Sequence, residues 1–460
     1  MQQRAHFGQA SRGAAIGQAI HELASRLYPI CRSITGAGVR ESLSLLSEHL
    51  DIAICEVPTG TQVFDWIIPR EWTIRDAYIA DEHGKRIVDF RVSNLHVLNY
   101  SAPISGRFTL AELKKHIFTL PDQPDLIPYR TSYYVERWGF CMQHNVLSKM
   151  TEGIYEAVID SSLTDGSLTY GECVLPGEKA DEVLLSAHIC HPSLANDNCS
   201  GLALLTILAT ELLQRRLKHT YRILFAPGTI GSIAWLARNE GGVHRIRHGL
   251  IVSCVGDRGG PTYKKSRRGD AMIDRVMQHV LRQATPSAVI QDFSPYGYDE
   301  RQFCSPAFNL PVGLFQRSQF GTFPEYHTSA DDLAFIRPEW LATSYEVILE
   351  AIEILEADRT LINTNPKCEP ALGRRGLYST IGGDADAAAR NMAMLWLLNL
   401  SDGTASLFDI AERSGMAFAH IDAAARQLEA AGLLVSADEG VAGPSSGARS
   451  SGPSSSPGNL

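Results

Sequence analysis

The chain has 460 residues, more than one hydrophobic core usually supports, so two or three domains are expected. Its hydrophobic fraction of 44% and charged fraction of 20% are typical of a globular protein. No apolar run approaches the ~20 residues that span a bilayer, and the net charge of −9 gives no general attraction to nucleic acid or anionic membranes. Nine cysteines without regular spacing favour reduced thiols, and the N-terminus lacks the pattern of a secretion signal. We therefore expect a cytoplasmic protein without a membrane partner.

Residues 14–57 are predicted to begin the largest domain. The apolar spacing in AIGQAIHELASRLYPI and VRESLSLLSEHL suits two amphipathic helices, with CRSITGAG as the loop between them. Residues 58–150 differ, because VFDWIIP, WTIRDAYIAD and RIVDFRV are short β-prone runs broken by Pro, Asp and Gly. We predict that this second segment is an inserted, β-rich domain.

Residues 151–370 alternate compact apolar runs with helical stretches. The apolar runs are EVLLSAH, YRILFAPG, GLIVSCVGD and LPVGLFQ, and GLALLTILATELLQRRL is one of the helical stretches between them. Buried strands that alternate with helices predict the α/β class, with a mostly parallel central sheet flanked by helices. The helix PEWLATSYEVILEAIEILEAD is predicted to close this body. Together with residues 14–57, this segment forms one discontinuous domain.

Residues 380–437 are predicted to form a winged-helix domain. AAARNMAMLWLLNL, SLFDIAERSG and AFAHIDAAARQLEAAGLL give a helix, a short helix, a tight turn and a third helix. That third helix carries Arg426 as its only Lys or Arg, beside Asp422 and Glu429, so nucleic acid is not an expected partner. Packing or subunit association is favoured, and a homo-oligomer is left open. Residues 438–460 are rich in Ser, Gly and Pro and are predicted to be disordered.

Polar side chains stand at or beyond the ends of three predicted strands. His188 ends EVLLSAH and Asp197 lies in the following turn, Asp257 ends GLIVSCVGD, and His327 lies in FPEYHTSADD after LPVGLFQ. Ligands gather beyond the carboxyl ends of strands in open α/β sheets, so these four side chains are expected to meet. Imidazole and carboxylate are usual zinc ligands, and a carboxylate such as Asp197 can bridge two ions. The sequence therefore predicts a site for one or two zinc ions.

These motifs resemble those of the di-zinc aminopeptidase superfamily, through His188, the AND-N-SG pattern around Asp197 and the YHTSADD loop. More narrowly, HICHPSLANDN, PGTIGSIAWL, VGDRGGPTYKKSRRG, YDERQFCSPAFNLPVG and FPEYHTSADDL are similar to a bacterial aminopeptidase-like family. The resemblance covers about residues 15–435. It implies a zinc-exopeptidase fold with an inserted β domain and a C-terminal winged helix, and it assigns the four metal ligands by position.

The chain departs from this family at one position. The relatives that it resembles carry Glu where this sequence has Gly228, within Pro-Gly-Thr-Ile-Gly-Ser. In the wider superfamily this strand end supplies a metal ligand and the glutamate that acts as general base, and glycine can do neither. Glu300 and Glu325 are the candidates to replace the missing catalytic carboxylate.

Several further side chains are candidates for binding. Arg32, Arg130 and Arg301 lie in loops, where an arginine can hold a substrate carboxylate. His191 follows His188 at the spacing His-x-x-His; it could bind metal, but its loop position favours support of His188. Cys190 beside it could be a nucleophile, although a buried inert thiol is favoured.

Three functions remain open at this stage. The first is a zinc-dependent, aminopeptidase-like hydrolase or acyl-transfer enzyme that acts on an amide of a small peptide-like or amino-acyl conjugate. The second is a non-catalytic module that binds a small molecule or peptide on a retired peptidase scaffold. The third is a regulator built on the same scaffold. The residue Gly228 is the reason to keep the second and third hypotheses.

Overall fold

A computed structural model of the protein describes residues 2–377 and 385–437. The helices are α1 Gln2–Leu27, α2 Ala37–Leu46, α3 Leu110–Leu113, α4 His144–Leu147, α5 Gly201–Leu212, α6 Ile230–Asn239, α7 Met272–Ala284, α8 Glu300–Phe303, α9 Pro338–Ala357, α10 Ala385–Leu400, α11 Leu407–Ser414 and α12 Phe418–Ala430. The strands are β1 Ala53–Pro58, β2 Gln62–Val63, β3 Trp66–Ile67, β4 Glu71–Ala80, β5 Arg86–Asp89, β6 Ile104–Thr109, β7 Ile117–Phe118, β8 Phe140–Cys141, β9 Ile154–Thr164, β10 Ser167–Leu175, β11 Glu182–His188, β12 Thr220–Ala226, β13 Ile246–Val252, β14 Thr262–Lys264, β15 Val289–Gln291, β16 Val312–Gln316, β17 Thr360–Asn363, β18 Asp402–Ser406 and β19 Leu434–Ser436.

An eight-stranded mixed sheet forms the body of the first part of the chain. Its order is β1-β10-β12-β11-β13-β16-β14-β15. The four central strands β12, β11, β13 and β16 are parallel, while β10 and β14 pair antiparallel with this centre. The central strands are buried along almost their whole length, as apolar runs in a sheet covered on both faces must be. The predicted α/β class with a parallel sheet centre is confirmed.

Helix α5 packs very closely against this sheet. A Cβ added to Gly201 would lie 2.4 Å from the carbonyl oxygen of Val252, at the end of β13. Only glycine permits this approach, because any larger residue would push the helix away from the strand. The close contact fixes the turn before α5, which carries Asp197, over the carboxyl ends of the central strands.

A second, four-stranded antiparallel sheet has the order β5-β4-β9-β6. Three of its strands come from the predicted β-rich segment, residues 58–150. The fourth, β9, covers residues 154–164 and therefore lies beyond the predicted end of that segment. Strand β9 of the small sheet is followed after two residues by β10 of the large sheet, so a short turn joins the two sheets.

The chain divides into two compact units between Ile352 and Glu353. The sequence had placed the end of the first body later, at residue 370. In the second unit, β18, β17 and β19 form a three-stranded sheet beside α10, α11 and α12. This order of elements is the winged helix that was predicted.

The predicted disordered tail, residues 438–460, lies outside the described residues. Within the described chain, no helix combines the length and the apolar character needed to cross a membrane.

Candidate metal centre

Two of the predicted metal ligands are set by the end of β11 and the turn that follows it. His188 is the last residue of β11 and pairs with Ala226 of β12. Asp197 lies in the turn Ala195–Ser200, where Asn198 has a φ of 137°. This left-handed backbone is costly for a residue other than glycine, and such strain is typical of functional sites. The fold therefore holds Asp197 in a conformation that an isolated loop would not favour.

The side chains of His188, Asp197 and His327 meet in the structure. One carboxylate oxygen of Asp197, Oδ1, lies 3.2 Å from His188 Nε2, and the other, Oδ2, lies 2.9 Å from His327 Nε2. His191 approaches the same carboxylate, with Nε2 3.9 Å from Oδ2. Two ligand atoms of a tetrahedral zinc ion lie roughly 3.3 Å apart, given Zn–N bonds near 2.0 Å. Three imidazoles therefore surround one carboxylate at separations suited to a shared metal ion.

The buried polar atoms of this group fit a bound metal. Both ring nitrogens of His188 and Oδ1 of Asp197 have no hydrogen-bond partner among the described residues, although Nε2 and Oδ1 stand close to each other. The two side chains are each about 1% exposed, so water does not compensate them freely. Leaving buried polar atoms without partners is costly, and a metal ion would remove that cost. Within the described chain, His188, His191 and Asp197 form a group whose ligand atoms all lie within 4.8 Å of one another.

The electrostatics of the group favour an anionic carboxylate on Asp197 and a neutral imidazole on His191. Burial alone would raise the pKa of Asp197, but His191, His188 and His327 hold it well below its ordinary value. Burial lowers the pKa of His191 well below its ordinary value, which the charge of Asp197 opposes. Metal ligands must be deprotonated, and these are the protonation states that coordination requires.

Asp331 and Asp257 organise the turn around Asp197. Asp331 accepts hydrogen bonds from the backbone N–H groups of Asn196, at 2.6 Å, and Asp197, at 3.0 Å. Burial raises the pKa of Asp331 to about 8, while these two hydrogen bonds lower it. Asp257 accepts four hydrogen bonds, from Asn196 Nδ2, Ser318 N, Ser318 Oγ and Gly259 N, at 2.6–3.2 Å. The carboxylate of Asp257 thus supports the turn, and it lies outside the compact group of His188, His191 and Asp197.

The inserted segment places the His327 loop. The backbone N–H of Tyr129 donates to the carbonyl of His327 at 2.7 Å, and Ser329 N donates to the carbonyl of Ile127 at 2.8 Å. Ser329 Oγ accepts from Ile127 N at 3.0 Å. The ring of Tyr129 also lies against His191 and His327, with centroid distances of 5.1 and 5.0 Å. The β-rich insert therefore forms one wall of the candidate centre.

The space of the missing carboxylate is filled by a tyrosine. A Cβ built on Gly228 would lie only 2.0 Å from Cε1 of Tyr298. The Tyr298 hydroxyl donates to the Gly228 carbonyl at 3.3 Å and lies 3.1 Å from Cys190 Sγ, and its ring lies 4.5 Å from the His188 ring. Burial raises the pKa of the Cys190 thiol to about 12, in agreement with the prediction of an inert thiol.

The carboxylate of Glu300, a predicted catalytic residue, is occupied by an ion pair and by hydrogen bonds. Its carboxylate forms a buried ion pair with Lys264 and accepts hydrogen bonds from the backbone N–H of Tyr298 at 3.0 and 3.2 Å. The adjacent residue, Asp299, is also buried: burial raises its pKa to about 6, and an electrostatic interaction with His188 lowers it. Asp299 also accepts a hydrogen bond from Ser232 Oγ at 2.8 Å. Glu300 is thus held by partners outside the compact group of His188, His191 and Asp197, and Asp299 is the carboxyl group that interacts electrostatically with His188.

Arg32, a predicted substrate contact, is buried and forms hydrogen bonds to backbone carbonyl groups. It is fully buried and donates to the carbonyls of His191 at 2.8 Å and Leu27 at 2.6 Å, and also to Ser42 and Cys199. By holding the His191 carbonyl, Arg32 fixes the loop that follows His188. The predicted substrate contacts Arg130 and Arg301 are exposed, and Glu325 is partly buried beside the His327 loop. The roles of these three residues stay predictions.

Two protein-family models match the chain. Residues 21–358 match a family model described as a domain of unknown function (DUF4910), and residues 359–436 match a winged helix-turn-helix model. The chain belongs to the DUF4910 family. A Clostridium acetobutylicum member, provisionally named as a polysaccharide biosynthesis protein with an aminopeptidase-like domain, is 50% identical over 418 residues. That match covers 91% of this chain and 96% of the relative.

Solved structures confirm the resemblance of this DUF4910 chain to aminopeptidases. A crystal structure of a C. acetobutylicum protein, provisionally described as a peptidase, is 47% identical and superposes with a TM-score of 0.89. It covers 93% of this chain and 98% of its own. The zinc aminopeptidase of Bacillus subtilis is 14% identical with a TM-score of 0.54, over 74% of this chain and 94% of its own. At that identity the likeness shows the fold, which is aminopeptidase-like as expected.

Four residues of the DUF4910 site were not found from the sequence: Tyr129, Tyr298, Asp299 and Asp331. Tyr298 and Asp299 lie in YGYDE, directly before Glu300, the residue of this motif that the sequence predicted as catalytic. Asp331 lies in YHTSADD, close to His327. Tyr129 lies directly before Arg130, a predicted substrate contact, and reaches the site through the insert. All four residues lie within four positions of a predicted site residue, and that proximity was the signal available in the sequence.

Proposed function

We propose that the protein is a zinc-dependent, aminopeptidase-like hydrolase with a single-ion centre. The observation that carries this proposal is the buried carboxylate of Asp197 between His188 and His327, with partnerless atoms on His188 and Asp197. His188 and Asp197 would hold the ion, and His191 and His327 supply the further nitrogens. Three or four ligands of this kind are the usual set for zinc.

A single ion is favoured over two because donors for a second ion are lacking. Gly228 has no carboxylate to offer, and the ring of Tyr298 fills the space of a side chain there. The Asp257 carboxylate, which the family resemblance assigns as a metal ligand, already accepts four hydrogen bonds. A second ion would have to replace those bonds.

Residues of the centre are suited to the hydrolysis of an amide. Zinc in such a centre supplies Lewis acidity toward a carbonyl group. Asp299, with a pKa of about 6, can accept a proton near neutral pH, which is the task of the glutamate that Gly228 replaces. The Tyr298 ring lies against the His188 ring, and its hydroxyl would have to leave the Gly228 carbonyl to donate to an oxygen that gains charge. Tyr129 and Tyr298 exclude water on two sides of the centre.

The substrate that we propose is an amide in a small peptide-like or amino-acyl conjugate. His327 is the most exposed of the three imidazoles, with 28% of its side chain accessible, so the centre opens on that side. The name of the C. acetobutylicum relative refers to polysaccharide biosynthesis, which is compatible with an amino-acyl group carried on a sugar.

The proposal is tested by metal content and by hydrolysis. Protein purified without chelator should contain one zinc ion per chain, and it should hydrolyse members of a panel of aminoacyl anilides and amides in a chelator-sensitive way. Asp197→Ala and His188→Ala should lose both properties, while His83→Ala, at an exposed histidine, should keep them. Two ions per chain would contradict the single-ion centre. Zinc binding unchanged in Asp197→Ala would refute the site itself.

A second candidate, favoured by Gly228, is a binding module without catalysis. In that case zinc would bind, and no member of the amide panel would be hydrolysed at any pH at which Asp299 is ionised. Calorimetry would then measure the binding of a slowly hydrolysed amino-acyl analogue. Binding to the parent that is lost in His188→Ala would identify a binding site without catalytic activity.

A further inference from the structure

A second cavity lies beside the candidate metal centre, at the carboxyl end of β16. Its volume is about 430 Å³, a size that accommodates a small-molecule ligand. Its polar and aromatic lining includes Lys264, Gln291, Tyr296, Gln316, Gln319 and Phe320. None of the side chains that line this cavity is a proposed metal ligand.

Gln316 gives the cavity a polar group that lacks a partner. The residue is only 3% exposed, and its Oε1 has no hydrogen-bond partner among the described residues. A buried carbonyl oxygen without a donor is costly, and a 180° rotation of the amide exchanges Oε1 and Nε2, so a ligand in the cavity that can both donate and accept would stabilise this amide. A hydroxyl group or an amide group would meet this requirement.

The charged groups of the wall are already neutralised. Lys264 pairs with Glu300 and donates to the carbonyls of Tyr296, at 2.7 Å, and Ser294, at 3.3 Å. Asp292 pairs with Lys265 at 2.9 Å, with a side chain 91% exposed. A charged ligand would find no unpaired counter-charge in these groups. The cavity therefore favours a neutral ligand.

Aromatic side chains complete the site. Tyr296 is 72% exposed, and Phe320 is partly buried. A pyranose ring presents C–H groups on its faces and hydroxyl donors at its edge, so it can pack on an aromatic ring while it donates to an amide oxygen. These two properties match the aromatic and amide sides of this cavity.

We propose that this cavity binds a neutral sugar ring. Phe320 lies 5.9 Å from the Tyr298 ring, and Tyr298 lies 4.5 Å from the His188 ring, so two side-chain contacts connect the cavity to the metal centre. A sugar here would carry its amide-linked group toward His188; that link rests on the proposed function, whereas binding of the sugar does not.

The test uses N-acetyl-D-glucosamine as the probe, with the full-length protein and saturation-transfer NMR. We expect saturation of the sugar C–H protons and a dissociation constant in the millimolar range. Gln316→Leu should weaken binding about tenfold, the effect of one hydrogen bond to a buried group. Gln214→Leu, at an exposed glutamine outside the cavity, should bind as the parent does. Tyr296→Ala alters an exposed side chain, so it should weaken binding without loss of fold.

The outcomes separate this proposal from the metal centre. His188→Ala should lose zinc and keep sugar binding; in that case a failure of the hydrolase proposal leaves the sugar site standing. Absence of saturation transfer from the sugar, or equal binding by the parent, Gln316→Leu and Tyr296→Ala, would overturn the sugar site. Leucinamide that binds in a Gln316-dependent manner, with no binding of the sugar, would show an amino-acyl subsite and would also overturn it.

Discussion

The ring of Tyr298 occupies the volume that a side chain at Gly228 would take, with Cε1 2.0 Å from the position of a Cβ there. The glycine and the tyrosine are therefore coupled, and a carboxylate cannot be restored at residue 228 by one substitution. The same contact places the tyrosine hydroxyl beside Cys190 and the ring beside His188. The tyrosine ring thus stands where any side chain at residue 228 would begin.

Gly228→Glu is expected to destabilise the protein by about 1–3 kcal/mol, because it overpacks a filled space. Gly228→Glu combined with Tyr298→Ala should recover most of that loss and should raise zinc content above that of the parent. Thermal unfolding and elemental analysis measure the two effects. A single Gly228→Glu variant as stable as the parent would show that the tyrosine ring moves freely, against the coupling described here.

Ser329→Ala should loosen the His327 loop. The substitution leaves the Ile127 N–H without its acceptor, at a cost of about 1–3 kcal/mol, and we expect a lower zinc affinity because His327 is less well placed. Isothermal titration with zinc and thermal unfolding are the measurements. Ser148→Ala, at an exposed serine that bonds only locally, is the control and should change neither. Unaltered zinc affinity in Ser329→Ala would mean that the insert does not position the loop.

Arg32→Met should reduce stability by about 3 kcal/mol, because it leaves buried carbonyl groups of Leu27 and His191 without donors. Urea unfolding measures the loss. Arg130→Met alters an exposed arginine and should change stability by no more than about 0.5 kcal/mol. If Arg32→Met kept full stability and lost only substrate affinity, the role predicted from the sequence would be restored.

Stability should fall as the pH drops below about 6.5, in part because of His248. Burial, with a smaller effect of His219, lowers the pKa of His248 to about 3, so the folded protein keeps this imidazole neutral. The unfolded chain binds a proton near its ordinary pKa of 6.5, so the stabilisation is complete above that pH. It declines by up to about 1.4 kcal/mol per pH unit as the pH falls toward 3.

Urea unfolding from pH 7 to pH 4 checks this dependence. His248→Leu should have a shallower slope than the parent, while His83→Leu, at an exposed histidine, should keep the parental slope. Equal slopes in all three proteins would assign the acid sensitivity to other groups.

The winged-helix unit is not expected to bind duplex DNA. On α12, Asp422 and Glu429 pair with Arg359 at 2.8 and 2.6 Å, and Arg426 pairs with Asp422 at 2.9 Å. These pairs leave the helix little positive charge to offer to phosphates. Fluorescence anisotropy with a labelled random duplex should show no binding at 50 mM salt, and tight binding with a steep salt dependence would contradict this expectation.

The sequence was sufficient to predict that His188, Asp197 and His327 meet beyond the strand ends. His188 closes a buried apolar run, and polar residues after such runs meet at one edge of a parallel sheet, so its approach to Asp197 and His327 could be predicted. The winged helix was also predictable, since its three helices have clear apolar periodicity. Both inferences depend on local pattern, which one sequence displays.

The sequence was insufficient where a role depends on which way neighbouring residues face. Asp299 and Glu300 are adjacent and both acidic, yet one accepts a hydrogen bond from Ser232 and the other pairs with Lys264. Arg32 appeared to be a loop residue open to a ligand, but α2 and the turn after β11 bury it. Tertiary packing decides such cases, and no spacing rule contains it.

The hydrogen bonds between Ile127 and Ser329 join positions 202 residues apart in the chain. Closing so long a loop has an entropic cost that must be met before His327 can reach Asp197, so the four-residue centre is a product of long-range folding. A peptide that contains HICHPSLANDN alone would lack it. During synthesis the centre can assemble only after residue 329 has emerged, so under the proposed function metal uptake would be a late event in maturation and a marker of a correctly completed fold.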